Sequence, residues 1–150
     1  MIYYLIIAAA VVLDRAVKYI TVSDMAPGST IPVIENVFHI TYVRNTGAAF
    51  SMWEEQWLLL VLLPMVIMAA GLVLVFFKRN VWSRTMLTAV SFICGGGIGN
   101  LVDRITRGFV VDMFDFRVFP VFNIADIFIC VGCGLLLLDV LVLERKRNSR

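Results

Sequence analysis

The stretch from Trp57 to Phe77 carries no charged residue. A bilayer core takes about 20 apolar residues per helical crossing, and a helix that is apolar all round belongs inside a large core or a membrane. Three further blocks approach the same length: Ile2 to about Thr21, about Thr85 to Val102, and about Val121 to Leu143. The 150 residues are 61% hydrophobic and 16% charged, with a mean hydropathy of +0.91. A soluble domain carries roughly 25% charged residues. The expected fold class is therefore a membrane α-helical protein with four transmembrane helices, organised as a single domain over residues 1–150.

The first block lacks a basic segment ahead of its apolar run, and Asp14, Arg15 and Lys18 fall where a leader would be cleaved. It reads as a retained helix. Lys78, Arg79 and Arg84 cluster between the second and third blocks, and Arg145, Lys146, Arg147 and Arg150 close the chain. Basic residues near helix ends mark the cytoplasmic side. Both termini are then expected in the cytoplasm, with residues 23–56 and 103–120 facing outward. The outward segments hold Arg44, Arg104, Arg107 and Arg117. The net charge of +2 gives no reason to expect a nucleic-acid partner.

The outward segments have extended character. Residues 31–43 are β-branched and aromatic and read as one or two short strands, and 109–122 look extended with Pro120 just before the last helix. A small outward-facing β-cradle resting on the membrane is expected. His39 is the sole histidine, which excludes a multi-histidine metal site. Cys94, Cys130 and Cys133 lie within apolar blocks and read as small apolar helix residues, not as a redox or metal set.

Polar residues inside apolar helices are costly and point to function. Asp126 sits about five residues into the expected fourth helix among Ile124, Ala125, Ile127 and Phe128, with Asn123 on the same face. Asp112 lies in the second outward segment, flanked by Val110, Val111, Met113 and Phe114, and a hairpin through Pro120 would return it to the start of that helix. Asp14 and Lys18 share a face of the first helix and are either an internal ion pair or a snorkelling lysine. Asn100, Asp103 and Arg104 follow the run from Gly95 to Gly99 on one face of the third helix, where glycines permit close packing. Without a following Lys-Ser/Thr, that run is not a phosphate loop. Asn45 to Phe50 form a third polar cluster with turn character. Asp139 is given no functional role.

The outward set is thus Asn45, Asn100, Asp103, Arg104, Asp112, Asn123 and Asp126. It offers no serine with a lysine base. Two carboxylates brought close share a proton, so one activates a water while the other hydrogen-bonds a carbonyl. This is aspartic-protease chemistry, with no metal and no cofactor.

Four blocks make the likeness specific: Tyr42 to Ser51, Gly99 to Arg104, Gly108 to Met113, and Phe122 to Asp126. In this order they resemble the signature blocks of the lipoprotein signal peptidase (signal peptidase II) family over essentially the whole chain. The resemblance implies a catalytic pair, Asp112 and Asp126. It implies supporting roles for Asn45, Asn100, Arg104 and Asn123, and structural or supporting roles for Asp14 and Lys18. It implies cleavage of a prolipoprotein signal peptide before a diacylglyceryl-modified cysteine. Met113 departs from the phenylalanine usual in the family, a change between bulky apolar residues. The expected partners are lipid-modified prolipoprotein and membrane phospholipid, and the chain is expected to act as a monomer in the bacterial cytoplasmic (inner) membrane. The alternatives are a small ion-coupled carrier using Asp14, Lys18 and Asp126, and a non-catalytic helix-binding subunit.

Overall fold

The computed structural model describes residues 1–47 and 57–143. The chain runs α1 (Ile2–Asp24), β1 (Thr30–Ile34), β2 (Phe38–Asn45), α2 (Trp57–Lys78), α3 (Arg84–Arg107), β3 (Val110–Asp115) and α4 (Ile124–Leu138), and α4 passes into a π-helical turn, Asp139–Leu143. Leu59–Lys78, Arg84–Arg107 and Ile124–Leu141 are long and apolar enough to cross a membrane. Helix α1 has 23 residues but carries Asp14, Arg15 and Lys18 in its middle turns. Within the motif around Asn45, Ala48 to Ser51 fall outside the described residues, as does the basic tail from Arg145 to Arg150.

Two of the helix boundaries that differ from the sequence expectation bear on the site. Helix α3 continues five residues past Val102, to Arg107, so Asp103 and Arg104 lie on the helix with Asn100, as their spacing predicts. Gly108 then stops it in the left-handed region (φ 80°), its N–H bonded to Arg104 O, and turns the chain directly into β3. Helix α4 begins later than the expected Val121. Asn123 is its N-cap, so Asp126 sits in the first turn and not five residues inside. The deciding chemistry is local, because an Asn side chain satisfies a free N–H at a helix start and holds the chain out of the helix before it.

The sheet is antiparallel, ordered β1-β2-β3. Strand β1 is exposed throughout, whereas all of β3 except Phe114 is buried. Tyr42, Val111 and Met113 form its core, packed with Val17, Val22 and Met25 from the end of α1 and its exit. Met113, the residue that departs from the family pattern, is 1% exposed in this cluster. Beyond β3 the chain folds back so that Phe122 bonds Phe114 in both directions, at 2.8 and 3.2 Å. This return delivers Asn123 to the strand that carries Asp112.

Helix α3 is the hub of the helical layer, and its glycines make that role possible. A Cβ on Gly95 would meet Ala10 Cβ of α1 at 2.6 Å, one on Gly99 would meet Asp14 Oδ2 at 2.6 Å, one on Gly96 would strike the Ala125 carbonyl of α4, and one on Gly97 would strike Met68 of α2. Successive residues point about 100° apart around a helix, so four near-adjacent glycines admit three neighbouring helices. Gly96→Ala forces the backbone of α4 away from α3. It is expected to lower stability by about 1–3 kcal/mol, seen as a reduced unfolding midpoint in detergent. Gly134→Ala, where a Cβ meets nothing within 4 Å, leaves the midpoint near wild type.

Candidate active site

Register builds the first part of the site. Val43 pairs with Asp112 and Asn45 with Val110, so Asn45 and Asp112 are diagonal neighbours on one face of the sheet. Asn45 Nδ2 donates to Asp112 Oδ2 at 2.8 Å, and Gly47 N–H holds Asn45 Oδ1 at 2.9 Å. Asp115, three residues along β3, points to the opposite face. There it accepts Thr41 Oγ1 at 2.8 Å, Arg117 N–H at 2.8 Å and the Arg117 guanidinium at 3.1 Å. The Arg117 N–H, then Thr41, hold its carboxyl below the usual range.

The start of α4 builds the second part. Asn123 Oδ1 accepts Asp126 N–H at 3.0 Å and Asp126 Oδ2 accepts Asn123 N–H at 3.1 Å. This is a capping box in which Asp takes the place of the more common Glu or Gln. The spare Asn123 amide donates to Asp112 Oδ1 at 2.6 Å and to Asn100 Oδ1 at 3.1 Å. Asn100 Nδ2 donates to Asp126 Oδ1 at 2.8 Å. The two carboxylates therefore meet through a pair of amides. Asp112 is 2% exposed, while Asp126 is half-buried. Burial pushes the Asp112 carboxyl up to about 6; the Asn45 and Asn123 amides oppose this, and the negative charge of Asp126 adds to it.

Beneath this pair lies an ion cluster. Lys18, fully buried, donates to Asn100 Oδ1 at 2.9 Å and faces Asp14 Oδ2 at 2.9 Å and Asp103 Oδ2 at 3.0 Å. An ammonium has three donors and no acceptor; here one goes to Asn100 in a hydrogen bond and the charge is met by the two carboxylates. Since Lys18 only donates, it turns the Asn100 oxygen toward itself and the Asn100 amide toward Asp126. Asp14 Oδ1 accepts Ala125 N–H of α4 at 3.0 Å. Asp103 also pairs with Arg15, accepts Val111 N–H of β3 at 3.2 Å, and faces Arg107 Nε at 3.5 Å.

Of the alternatives for Asp14 and Lys18, the internal ion pair is the one present. Asn45, Asn100, Asp112, Asn123 and Asp126 are joined in one network. Arg104 stands apart: half-buried, its guanidinium acts electrostatically on Asp126, Asp112 and Asp103 with no hydrogen bond to them among the described residues. Two anchors escaped the sequence reading. Arg15 joins Asp103, and its position beside Asp14 in an apolar helix was the available signal. Asp139 is 1% exposed and accepts Ser83 Oγ at 2.6 Å, tying α4 to the N-cap of α3. A carboxylate in an apolar helix was again the signal. No cluster of potential metal ligands occurs among the described residues.

Membrane-length helices under a small sheet, enclosing a buried carboxylate–amide network, define the class as a membrane enzyme. A bacterial membrane enzyme solved by the in meso method at 2.3 Å resembles the chain with a TM-score of 0.84 and 30% identity, covering 99% of this chain and 91% of that one. A second, at 1.9 Å, gives 0.85 and 31%, covering 93% and 92%. The lipoprotein signal peptidase of Brevibacillus brevis is 41% identical over 149 residues, 97% of this chain and 98% of its own length. That of Haemophilus influenzae is 41% identical over 151 residues, 93% and 85%. The family model for signal peptidase (SPase) II matches residues 6–142. The chain belongs to the signal peptidase II family, and these relatives lend no support to an ion-coupled carrier.

Removing one partner of a buried ion cluster leaves uncompensated charge, at a cost of about 3–5 kcal/mol. Lys18→Met is therefore expected to lower the unfolding midpoint in detergent well beyond an exposed control such as Lys78→Met. An unchanged midpoint would contradict the buried cluster.

Proposed function

We propose that the chain is a membrane aspartic endopeptidase that removes the signal peptide from diacylglyceryl-modified prolipoproteins, cutting before the lipidated cysteine, with Asp112 and Asp126 as its catalytic pair. The observation that carries this reading is the meeting of the two carboxylates, one from β3 and one from α4, on the amides of Asn100 and Asn123, in a chain of the signal peptidase II family.

The chemistry follows from the asymmetry of the pair. Asp112 is buried and holds a proton up to about pH 6, whereas Asp126 stands at the N-terminus of α4, where the helix dipole favours negative charge. Asp126 accepts a proton from water as the oxygen adds to the scissile carbonyl carbon, and the Asp112 proton passes to the carbonyl oxygen. Collapse of the resulting diol returns a proton to Asp112, and Asp126 gives its proton to the departing amine nitrogen. Asn45, Asn100 and Asn123 hold the carboxylates in place, Arg104 supplies positive potential beside the developing oxyanion, and Asp14 and Lys18 orient Asn100.

The membrane placement belongs to the same proposal. Helix α1 crosses with the other three, its charges turned onto α3, which gives four crossings in a single domain. Lys78, Arg79 and Arg84 support a cytoplasmic α2–α3 link. Both termini are then cytoplasmic, and the site lies at the outer face of the bacterial inner membrane in contact with phospholipid. In this reading the chain acts as a monomer.

Cleavage of a diacylglyceryl-modified prolipoprotein by the detergent-purified protein tests the assignment. Asp112→Asn and Asp126→Asn, each with a wild-type unfolding midpoint, are expected to lose on the order of 10²–10⁴-fold or more in kcat. A folded variant with near-wild-type turnover removes that aspartate from the pair. For pH dependence, kcat/KM reports the free enzyme. It should fall along an alkaline limb centred near pH 6 as Asp112 loses its proton. Asn45→Ala removes a donor that favours the ionised form, so the limb moves to higher pH. A limb that stays fixed or moves down contradicts the assignment.

A further inference from the structure

The carboxylate chemistry makes no use of the link between α2 and α3. Lys78 ends α2 and Arg84 opens α3. Between them the chain turns back on Lys78 O, which accepts Val81 N–H and Trp82 N–H, both at 2.9 Å. Lys78, Arg79 and Arg84 are exposed and stand in no ion pair among the described residues. Asp139, which reaches the link from the end of α4, is 1% exposed and accepts Ser83 Oγ at 2.6 Å. Arg84 is the misfit. A helix N-terminus favours negative charge, yet the first turn of α3 holds this arginine and no acid. Arg79 is held against α2, its guanidinium 5.0 Å from the centre of the Phe76 ring. Phe77 and Val81, neighbours of these cations in sequence, are 71% and 75% exposed.

We propose that the α2–α3 link docks the headgroup of an anionic phospholipid, with Lys78, Arg79 and Arg84 taking its negative charge and Phe77 and Val81 lying along its acyl chains. Three observations select the occupant. Both helices that meet at the link are long and apolar enough to cross a membrane, so their shared end stands at headgroup depth. The three cations have no ion-pair partner among the described residues, so their complement comes from outside. Exposed hydrocarbon adjoins them, and a phospholipid carries an anion and hydrocarbon in one molecule, whereas an acidic soluble partner has no counterpart for Phe77. Basic residues close to an anionic bilayer surface each add attraction, and a guanidinium meets a phosphate with paired donors. The site does not depend on the peptidase reading.

The test uses the full-length protein in nanodiscs with Trp53→Phe and Trp57→Phe, which leaves Trp82 as the reporting indole. Phosphatidylglycerol and phosphatidylcholine are mixed in equal amounts, and one of the two at a time carries bromine on its acyl chains. Quenching of Trp82 is expected to show phosphatidylglycerol preferred about fivefold or more, the scale of one basic residue beside an anionic surface. Lys78→Gln, Arg79→Gln and Arg84→Gln together bring the ratio close to one. Arg145→Gln, Lys146→Gln, Arg147→Gln and Arg150→Gln in the tail leave it high. Equal quenching by the two lipids with the link intact overturns the proposal. So does a preference that survives the link substitutions or disappears with the tail substitutions. A second readout needs no tryptophan replacement. The unfolding midpoint is expected to be higher in phosphatidylglycerol than in phosphatidylcholine nanodiscs, and the link variant loses that difference while matching the wild type in phosphatidylcholine. A link variant that keeps the difference also overturns the site.

Discussion

A single buried ammonium organises this molecule. Lys18 is 0% exposed, hydrogen-bonded to Asn100 and ion-paired with Asp14 and Asp103 on α1 and α3. Taking a lysine out of water costs several kcal/mol unless charge and hydrogen bonds are restored, so the surrounding geometry has little freedom. Asp14 and Asp103 must both approach it, which brings α1 against α3 at the level of Gly99, where any Cβ would meet Asp14. The second oxygen of Asp14 then reaches the first turn of α4, while Asp103 Oδ2, besides facing Lys18, accepts from the strand that follows α3. The elements bearing Asp126 and Asp112 are thus both tethered to the acids that neutralise Lys18.

The carboxylate pair is consequently assembled by ordinary folding devices. A sheet register places Asn45 beside Asp112, a helix cap orients Asp126, and a buried cation fixes which way the Asn100 amide faces. The dense hydrogen bonding leaves the groups few alternative arrangements, the condition under which fixed dipoles stabilise developing charge without reorganising. The two acids also sit in unequal surroundings, one deep under the sheet and one at a helix end, and such inequality separates an acid from a base within a pair of like residues.

Much of this was legible in the sequence, for reasons that can be named. The helical blocks declare themselves because hydrocarbon admits few charges, and the isolated polar residues within them mark the site because each needs a partner. The pairing of Asp112 with Asp126 was readable as a possible hairpin through Pro120, and the Phe114–Phe122 bonds are that return. The helix start was misjudged because apolar Val121 and Phe122 continue the hydrophobic run, although Asn123 and Asp126 spell a capping pattern at the correct spacing. The charges of Arg15, Asp103 and Asp139 in or beside apolar helices signalled that each needs a partner, but which partner was not legible. The pairings depend on contacts between segments far apart in sequence, which periodicity does not encode.

The distance along the chain between Lys18 and its partners bears on how such a protein is made. Asn100 lies 82 residues after Lys18, and Asp103 later still. During synthesis α1 meets the membrane well before α3 exists, carrying Asp14, Arg15 and Lys18 with no acceptor outside its own turn. Charged residues at a helix centre each disfavour insertion by about 2.5–3.5 kcal/mol. Until α3 is made, Lys18 can pair only with Asp14 in its own helix, and its contacts to Asn100 and Asp103 form only after at least 82 further residues have been added.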